Sequence, residues 1–156
     1  MEIQLEECGD NCSVNIKFAQ NLGIPFVGCA SHRLNLAICR LCDKEEYSYL
    51  IQKVNVLMDK LTTLKNASIL RKKTHLNPEK RNYTRWSSTY NMLKKYKKLS
   101  PFLQDGFSDD FLVFIPSPAE HRSIELLTDR LKAVDDVCVG IQSDDASCDL
   151  FFVRVA

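Results

Sequence analysis

Ile24-Pro25-Phe26-Val27-Gly28-Cys29-Ala30-Ser31-His32-Arg33-Leu34-Asn35-Leu36 is the stretch in which the character of the chain changes. From Ile24 to Gly28 it is short, apolar and extended, the pattern of a brief strand. From Leu34 onward the apolar residues recur at helical spacing, through Ala37, Ile38 and Leu41, to an end near Asp43. Upstream, Glu2 to Cys8 alternates weakly and predicts a short strand, and Gly9-Asp10-Asn11 predicts a turn whose Asp10 or Asn11 can cap a helix. Val14, Phe18, Ala19 and Leu22 give that helix, and Gly23 closes it. The first thirty residues therefore read as strand, acidic turn, helix, strand.

Downstream the pattern is helical almost throughout. Tyr49, Leu50, Val54, Leu57, Met58, Leu61 and Leu64 make a stripe of about four turns or more. Asn77-Pro78 breaks it, and Lys80 to Thr84 reads as a basic loop. Trp86, Tyr90, Leu93 and Tyr96 or Lys97 resume helical spacing up to Leu99, and Ser100-Pro101 interrupts. A loop with Pro116 and Pro118 precedes a long helix over roughly Ala119 to Gln142, with Ile124, Leu127, Leu131, Val134 and Val137 or Cys138 on its apolar face. The last run, Leu150 to Ala156, is apolar. The expectation is a mainly α protein with a small α/β start, divided into residues 1–28 and 29–156.

The composition, 45% hydrophobic and 26% charged, is that of an ordinary globular chain. No apolar run reaches the roughly 18–20 residues of a membrane-spanning helix, and the acidic start lacks the pattern of a secretory signal. An intracellular protein is expected, with its seven cysteines reduced. The net charge of +1 conceals a strong asymmetry. Residues 65–98 hold 11 Lys/Arg against Glu79 alone, whereas residues 99–156 hold 4 Lys/Arg against 11 Asp/Glu. A basic block of this kind suits a polyanion such as DNA. It equally suits a solvated helix face balanced by an acidic neighbour.

Three groups of residues could carry chemistry. Asp10, in a turn after a strand, is placed either to cap a helix or to offer a carboxylate to a divalent ion such as Mg²⁺. Cys29/His32 and Cys39/Cys42 have the spacing of paired zinc ligands, but only six residues separate the pairs, and a reduced cysteine in an apolar helix also acts as a small hydrophobe. Tyr83-Thr84-Arg85-Trp86-Ser87-Ser88 joins an aromatic ring to a cation, the combination that stacks on an unpaired base beside a phosphate. Ser87 and Ser88 could cap the helix that follows. The other reading of Trp86, the one Trp of the chain, is a core anchor.

Taken in order, Gly9-Asp10-Asn11-Cys12-Ser13-Val14-Asn15, Cys29-Ala30-Ser31-His32-Arg33-Leu34-Asn35-Leu36 and Thr84-Arg85-Trp86-Ser87-Ser88-Thr89 with Met92-Leu93 resemble the hAT superfamily of DNA transposases and transposase-derived proteins. The resemblance implies a partial RNase H-like catalytic core over residues 1–28, about two strands and a helix, followed by part of an all-α insertion over 29–156. It implies that Asp10 matches the second acidic residue of the catalytic triad, a ligand of Mg²⁺ or Mn²⁺ in the intact family enzyme. Cys29 and His32 would lie near that site in a structural or DNA-proximal role, and Trp86 would stabilise an unstacked base. The segments matching the first catalytic aspartate and the catalytic glutamate are missing from the match. Two-metal phosphoryl chemistry needs several carboxylates around ions roughly 3.5–4 Å apart. The expectation is therefore a truncated, catalytically inactive fragment, nuclear by resemblance, with sequence-nonspecific DNA affinity through Arg85, Trp86, Lys94, Lys95, Lys97 and Lys98. A helical protein-interaction module and a zinc-stabilised binding module are the alternatives.

Overall fold

The computed structural model describes residues 7–9, 12–83, 85–142 and 152–154. They form β1 (Glu7–Gly9), α1 (Ser13–Leu22), β2 (Phe26–Cys29), α2 (Ala30–Cys42), α3 (Glu45–Leu61), α4 (Leu64–Arg71), α5 (Trp86–Leu99), a 3₁₀ turn (Ser100–Phe102), α6 (Asp109–Leu112), α7 (Pro118–Gln142) and β3 (Phe152–Arg154). The protein is mainly helical, as its periodicity predicts. Two compact units divide it: Met1–Ile38 with Asp136–Ala156, and Cys39–Asp135.

In the first unit, β1 and β2 run parallel, with Cys8 opposite Val27, and α1 makes the connection between them. A parallel pair requires such a crossover, because a tight turn can only reverse the chain. Gly23 ends α1 at φ 66, a left-handed conformation that costs a glycine nothing. Its amide donates to Gln20 O and the next amide, of Ile24, to Ala19 O, which satisfies the last carbonyls of the helix. β3 pairs antiparallel with β2, setting Val153 opposite Gly28. The apolar run near the end of the chain thus supplies a strand. On α1 only Ala19 is buried; Val14, Phe18 and Leu22, which share its helical spacing, are 72%, 52% and 56% exposed.

The second unit holds the main apolar core. α3 contributes Leu50, Ile51, Val54, Leu57, Met58 and Leu61, and packs against α5, which contributes Trp86, Tyr90, Met92, Leu93, Tyr96 and Leu99. Ile124, Leu127 and Leu131 of α7 are each at most 1% exposed, as the periodicity of that helix predicts. Two residues of the expected α3 stripe lie outside this core. Tyr49 is 59% exposed, and Leu64 is 92% exposed and opens α4 instead of extending α3. The break has a local cause. The hydroxyls of Thr62 and Thr63 donate back to Asp59 O and Lys60 O at 2.6 and 2.8 Å, and Asn66 Nδ2 donates to Lys60 O at 3.0 Å. These bonds take up the carbonyls that a continuing helix would have used.

Between α5 and α7 the sequence predicts only a loop, and the chain instead folds into the 3₁₀ turn and α6. Leu103, Phe107 and Phe111 anchor this segment in the core, with the two phenyl rings stacked at 4.4 Å. Gly106, at φ 75, turns the chain between the anchors. α7 opens on Ser117-Pro118-Ala119-Glu120. The Ser117 amide donates to Glu120 Oε2 at 2.7 Å, and the Glu120 amide lies 3.3 Å from Ser117 Oγ. This reciprocal pair satisfies two otherwise orphaned donors, and the proline occupies a position where no amide hydrogen is needed.

Candidate nucleic-acid interface

α5 carries the densest part of the basic block, and three of its four lysines stand apart from its packed side. With 3.6 residues per turn, Trp86, Thr89, Tyr90, Met92, Leu93, Tyr96 and Leu99 fall on one side and are buried. Lys94, Lys95 and Lys98 fall together on the other, across an arc of about 100°. Lys94 and Lys98 are exposed and Lys95 is half-buried. The Lys94 ammonium lies 5.4 Å from the Tyr90 ring. None of these three lysines forms an ion pair among the described residues. Lys97 falls outside that arc, at the azimuth of Trp86 and Tyr90, and is 3.3 Å from Asp129 Oδ1 on α7.

Other cations of the block are drawn into the fold. Lys73 Nζ donates to the carbonyls of Phe102 and Asp105 and sits 5.1 Å from the Phe107 ring. Lys80 is paired with Asp59, whose carboxyl it holds below the usual carboxylate range. Arg81 faces Asp43 at 3.6 Å. The two readings of the basic block thus each describe part of it. Lys73, Lys80, Arg81 and Lys97 tie elements together, while Lys94, Lys95 and Lys98 have no ion pair among the described residues.

Of the two readings open for Trp86, the structure shows the core anchor. Its indole is 6% exposed, 6.4 Å from the Tyr90 ring, and in this conformation has no face to offer a base. Arg85 beside it is exposed in extended backbone, immediately before the first turn of α5. Ser87 and Ser88 do not cap the helix, because it begins one residue earlier, at Trp86. Ser88 Oγ instead accepts from the Asn82 amide at 2.6 Å, and so fastens the basic loop to the first turn of α5. Arg81 and Tyr83 are not marked as a pair by the sequence, yet the guanidinium carbon lies 4.8 Å from the Tyr83 ring centroid, and Tyr83 is 64% exposed. One aromatic residue two positions after a cation, in Arg81-Asn82-Tyr83, was the available signal, but the path of the loop decides whether the ring meets it.

The remaining candidates are less fully placed. Asp10 lies outside the described residues. Cys29 ends β2, and α2 begins at Ala30, so the strand-to-helix junction falls where the sequence puts it; His32, in the first turn of α2, is half-buried. Among the described residues no group of three or more His, Cys, Asp or Glu side chains comes together. Cys42 is fully buried, and burial pushes its thiol up to about 11, which favours the protonated, hydrophobic form over a metal-binding thiolate. No helix among the described residues is long and apolar enough to cross a membrane.

Two further polar arrangements lie in the second unit. Lys53 Nζ contacts both carboxylate oxygens of Glu120 at 2.7 and 2.8 Å, and Tyr49 donates to the same carboxylate at 3.0 Å. The buried Tyr96 hydroxyl is 2.9 Å from His121 Nδ1, and burial pushes this phenol up to about 12. Comparison with models of known families, with curated proteins and with solved structures finds no match to this chain.

Proposed function

We propose that the chain is derived from a hAT-type transposase and binds DNA through backbone phosphates, without catalysing strand cleavage or transfer itself. The observation that carries the DNA-binding part is the face of α5 on which Lys94, Lys95 and Lys98 stand without ion pairs among the described residues. Lysines of this kind displace condensed counterions from a duplex and confer affinity without sequence preference. The transposase ancestry rests on the three sequence motifs. It is supported by the order strand, helix, strand followed by helices from Ala30 to Gln142, as a partial RNase H-like core running into an all-α insertion would have; β3, which returns to pair with β2, is not part of that pattern. Lack of catalysis rests on the single acidic match, Asp10, where Mg²⁺- or Mn²⁺-dependent family enzymes use three. A nuclear location accompanies that ancestry.

The test is the salt dependence of binding to a labelled DNA duplex, read by fluorescence anisotropy. Replacing Lys94, Lys95 and Lys98 with Gln together should weaken binding and reduce the slope of log affinity against log salt by roughly two to three. Lys97→Gln alone should change it less, since Asp129 already offsets that charge. An unchanged slope in the triple variant sinks the proposal.

A second reading, a protein-interaction module, is favoured by one observation. A cleft of about 690 Å³ is walled by Tyr49, Val56, Val113 and Phe114, with Lys53 and Arg81 also lining it. Absence of DNA binding at low salt, in a protein that remains folded and monomeric, would favour this module over the first reading.

A further inference from the structure

The basic loop before α5 holds an aromatic ring in an unusual setting. Tyr83 is 64% exposed, yet its ring is not loose on the surface, because the Arg81 guanidinium packs on it at 4.8 Å. That guanidinium is fixed from within the second unit. The Arg81 side chain is only 11% exposed and faces Asp43 at 3.6 Å, and the Arg81 amide donates to Asn55 Oδ1 of α3 at 3.0 Å. Its Nε is buried with no hydrogen-bond partner among the described residues. A buried N–H left in this way is costly, and the electron-rich face of Tyr83 is the compensation available to the cation. The loop is fastened at a second point, where the Asn82 amide meets Ser88 Oγ on α5.

The arrangement makes a flat ring, braced by a cation and mostly exposed, in the loop that leads into α5. α5 rises about 1.5 Å per residue, so Lys94 and Lys98 lie roughly 12 and 18 Å along its axis from Trp86. The Asn82–Ser88 bond holds the loop at the start of α5, so a strand that continues from the lysines along the helix axis arrives at the loop. A ring fixed before binding loses little rotamer freedom when a base settles on it. A base within a duplex already has neighbours stacked on its faces, whereas an unpaired base has a face to give.

We propose that Tyr83, braced by Arg81, is a stacking platform for an unpaired base, so that the interface takes single-stranded nucleic acid in preference to duplex. This rests on the phosphate-binding reading of α5 and adds to it the form of the ligand. It also moves the stacking role from Trp86, which is buried, to a ring that is accessible.

The experiment measures anisotropy of labelled oligo-dT and of a duplex of equal length with the full chain. The wild type should bind oligo-dT more tightly than duplex. Tyr83→Ala should weaken oligo-dT binding on the order of tenfold, leaving duplex affinity and its salt slope unchanged, and Tyr83→Phe should retain wild-type behaviour. Tyr83→Leu keeps an apolar cover over Arg81 but has no π-face, so it should behave as Tyr83→Ala even if alanine loosens the loop. Equal affinity of the wild type for the two forms, or oligo-dT binding unaffected in both Ala and Leu variants, overturns the platform and leaves the lysine reading standing. Failure of the wild type to bind either form at low salt overturns both.

Discussion

Trp86 and Tyr83, three positions apart, have opposite fates. Trp86 begins α5 on the same face as Tyr90, Leu93 and Tyr96, and that face packs on α3. Its burial to 6% exposure means that truncation should act first on stability. Trp86→Ala is expected to cost about 3–5 kcal/mol, read as a lower urea midpoint by far-UV circular dichroism. A midpoint within experimental error of the wild type would show that the indole does not anchor the core. The helical spacing in the sequence made the packed face legible, since Trp86, Tyr90, Leu93 and Tyr96 are all buried as that spacing demands. Spacing alone did not separate a ring that packs from one that stacks, because Arg85 is adjacent in either case. Tyr49 and Leu64 show the same limit from the other side. Both keep the period of α3, but Tyr49 turns to the Glu120 carboxylate and Leu64 follows the break at Thr62 and Thr63.

At the scale of elements, the polar contacts that join helices were the part least visible in the sequence. Ser117-Pro118-Ala119-Glu120 has the pattern of a capping box, but nothing in the linear chain indicates that the same Glu120 reaches Lys53 on α3, 67 residues away. That contact joins the start of α7 to the middle of α3. The bond from Lys53, helped by the Ser117 amide, holds the Glu120 carboxyl down at about 2, against an ordinary value of 4.5. A carboxyl depressed in the folded state stabilises that state above its unfolded pKa, and the contribution is lost as pH falls through the folded one. Glu120→Gln should therefore cost about 1–2 kcal/mol at neutral pH, and the gap from the wild type should narrow as pH falls from 4.5 towards 2. Urea midpoints of both proteins across that range provide the check, and a gap independent of pH would remove Glu120 as the titrating group. The segment between α5 and α7 was illegible for a different reason. Its anchors Leu103, Phe107 and Phe111 are separated by polar and glycine residues, and a four-residue helix such as α6 is too short to show a period.

For the whole molecule, the unequal distribution of apolar burial and charge between the two units leads to one prediction. Among the described residues nearly all the buried apolar side chains belong to Cys39–Asp135; Ala19 and Ile38 are the exceptions. A unit of about a hundred residues can bury enough surface to fold alone. The same unit carries 18 Lys/Arg and 12 Asp/Glu, a net of +6, whereas the remaining residues carry 3 Lys/Arg and 8 Asp/Glu, a net of −5. The near-neutral whole is thus a cationic unit joined to an anionic one. Attraction to a polyanion depends on the summed field as well as on local contacts, so removing the acidic residues should strengthen phosphate binding, most of all at low salt where screening is weak. The fragment 39–135 is expected to unfold in one cooperative transition within a few degrees of the full chain and to bind a DNA duplex more tightly than the full chain does. The salt slopes of the two should be alike, because both present Lys94, Lys95 and Lys98. Calorimetry tests the folding and anisotropy the binding. A fragment that folds but binds more weakly would show that residues outside 39–135 contribute contacts of their own, and would place part of the interface in the first unit.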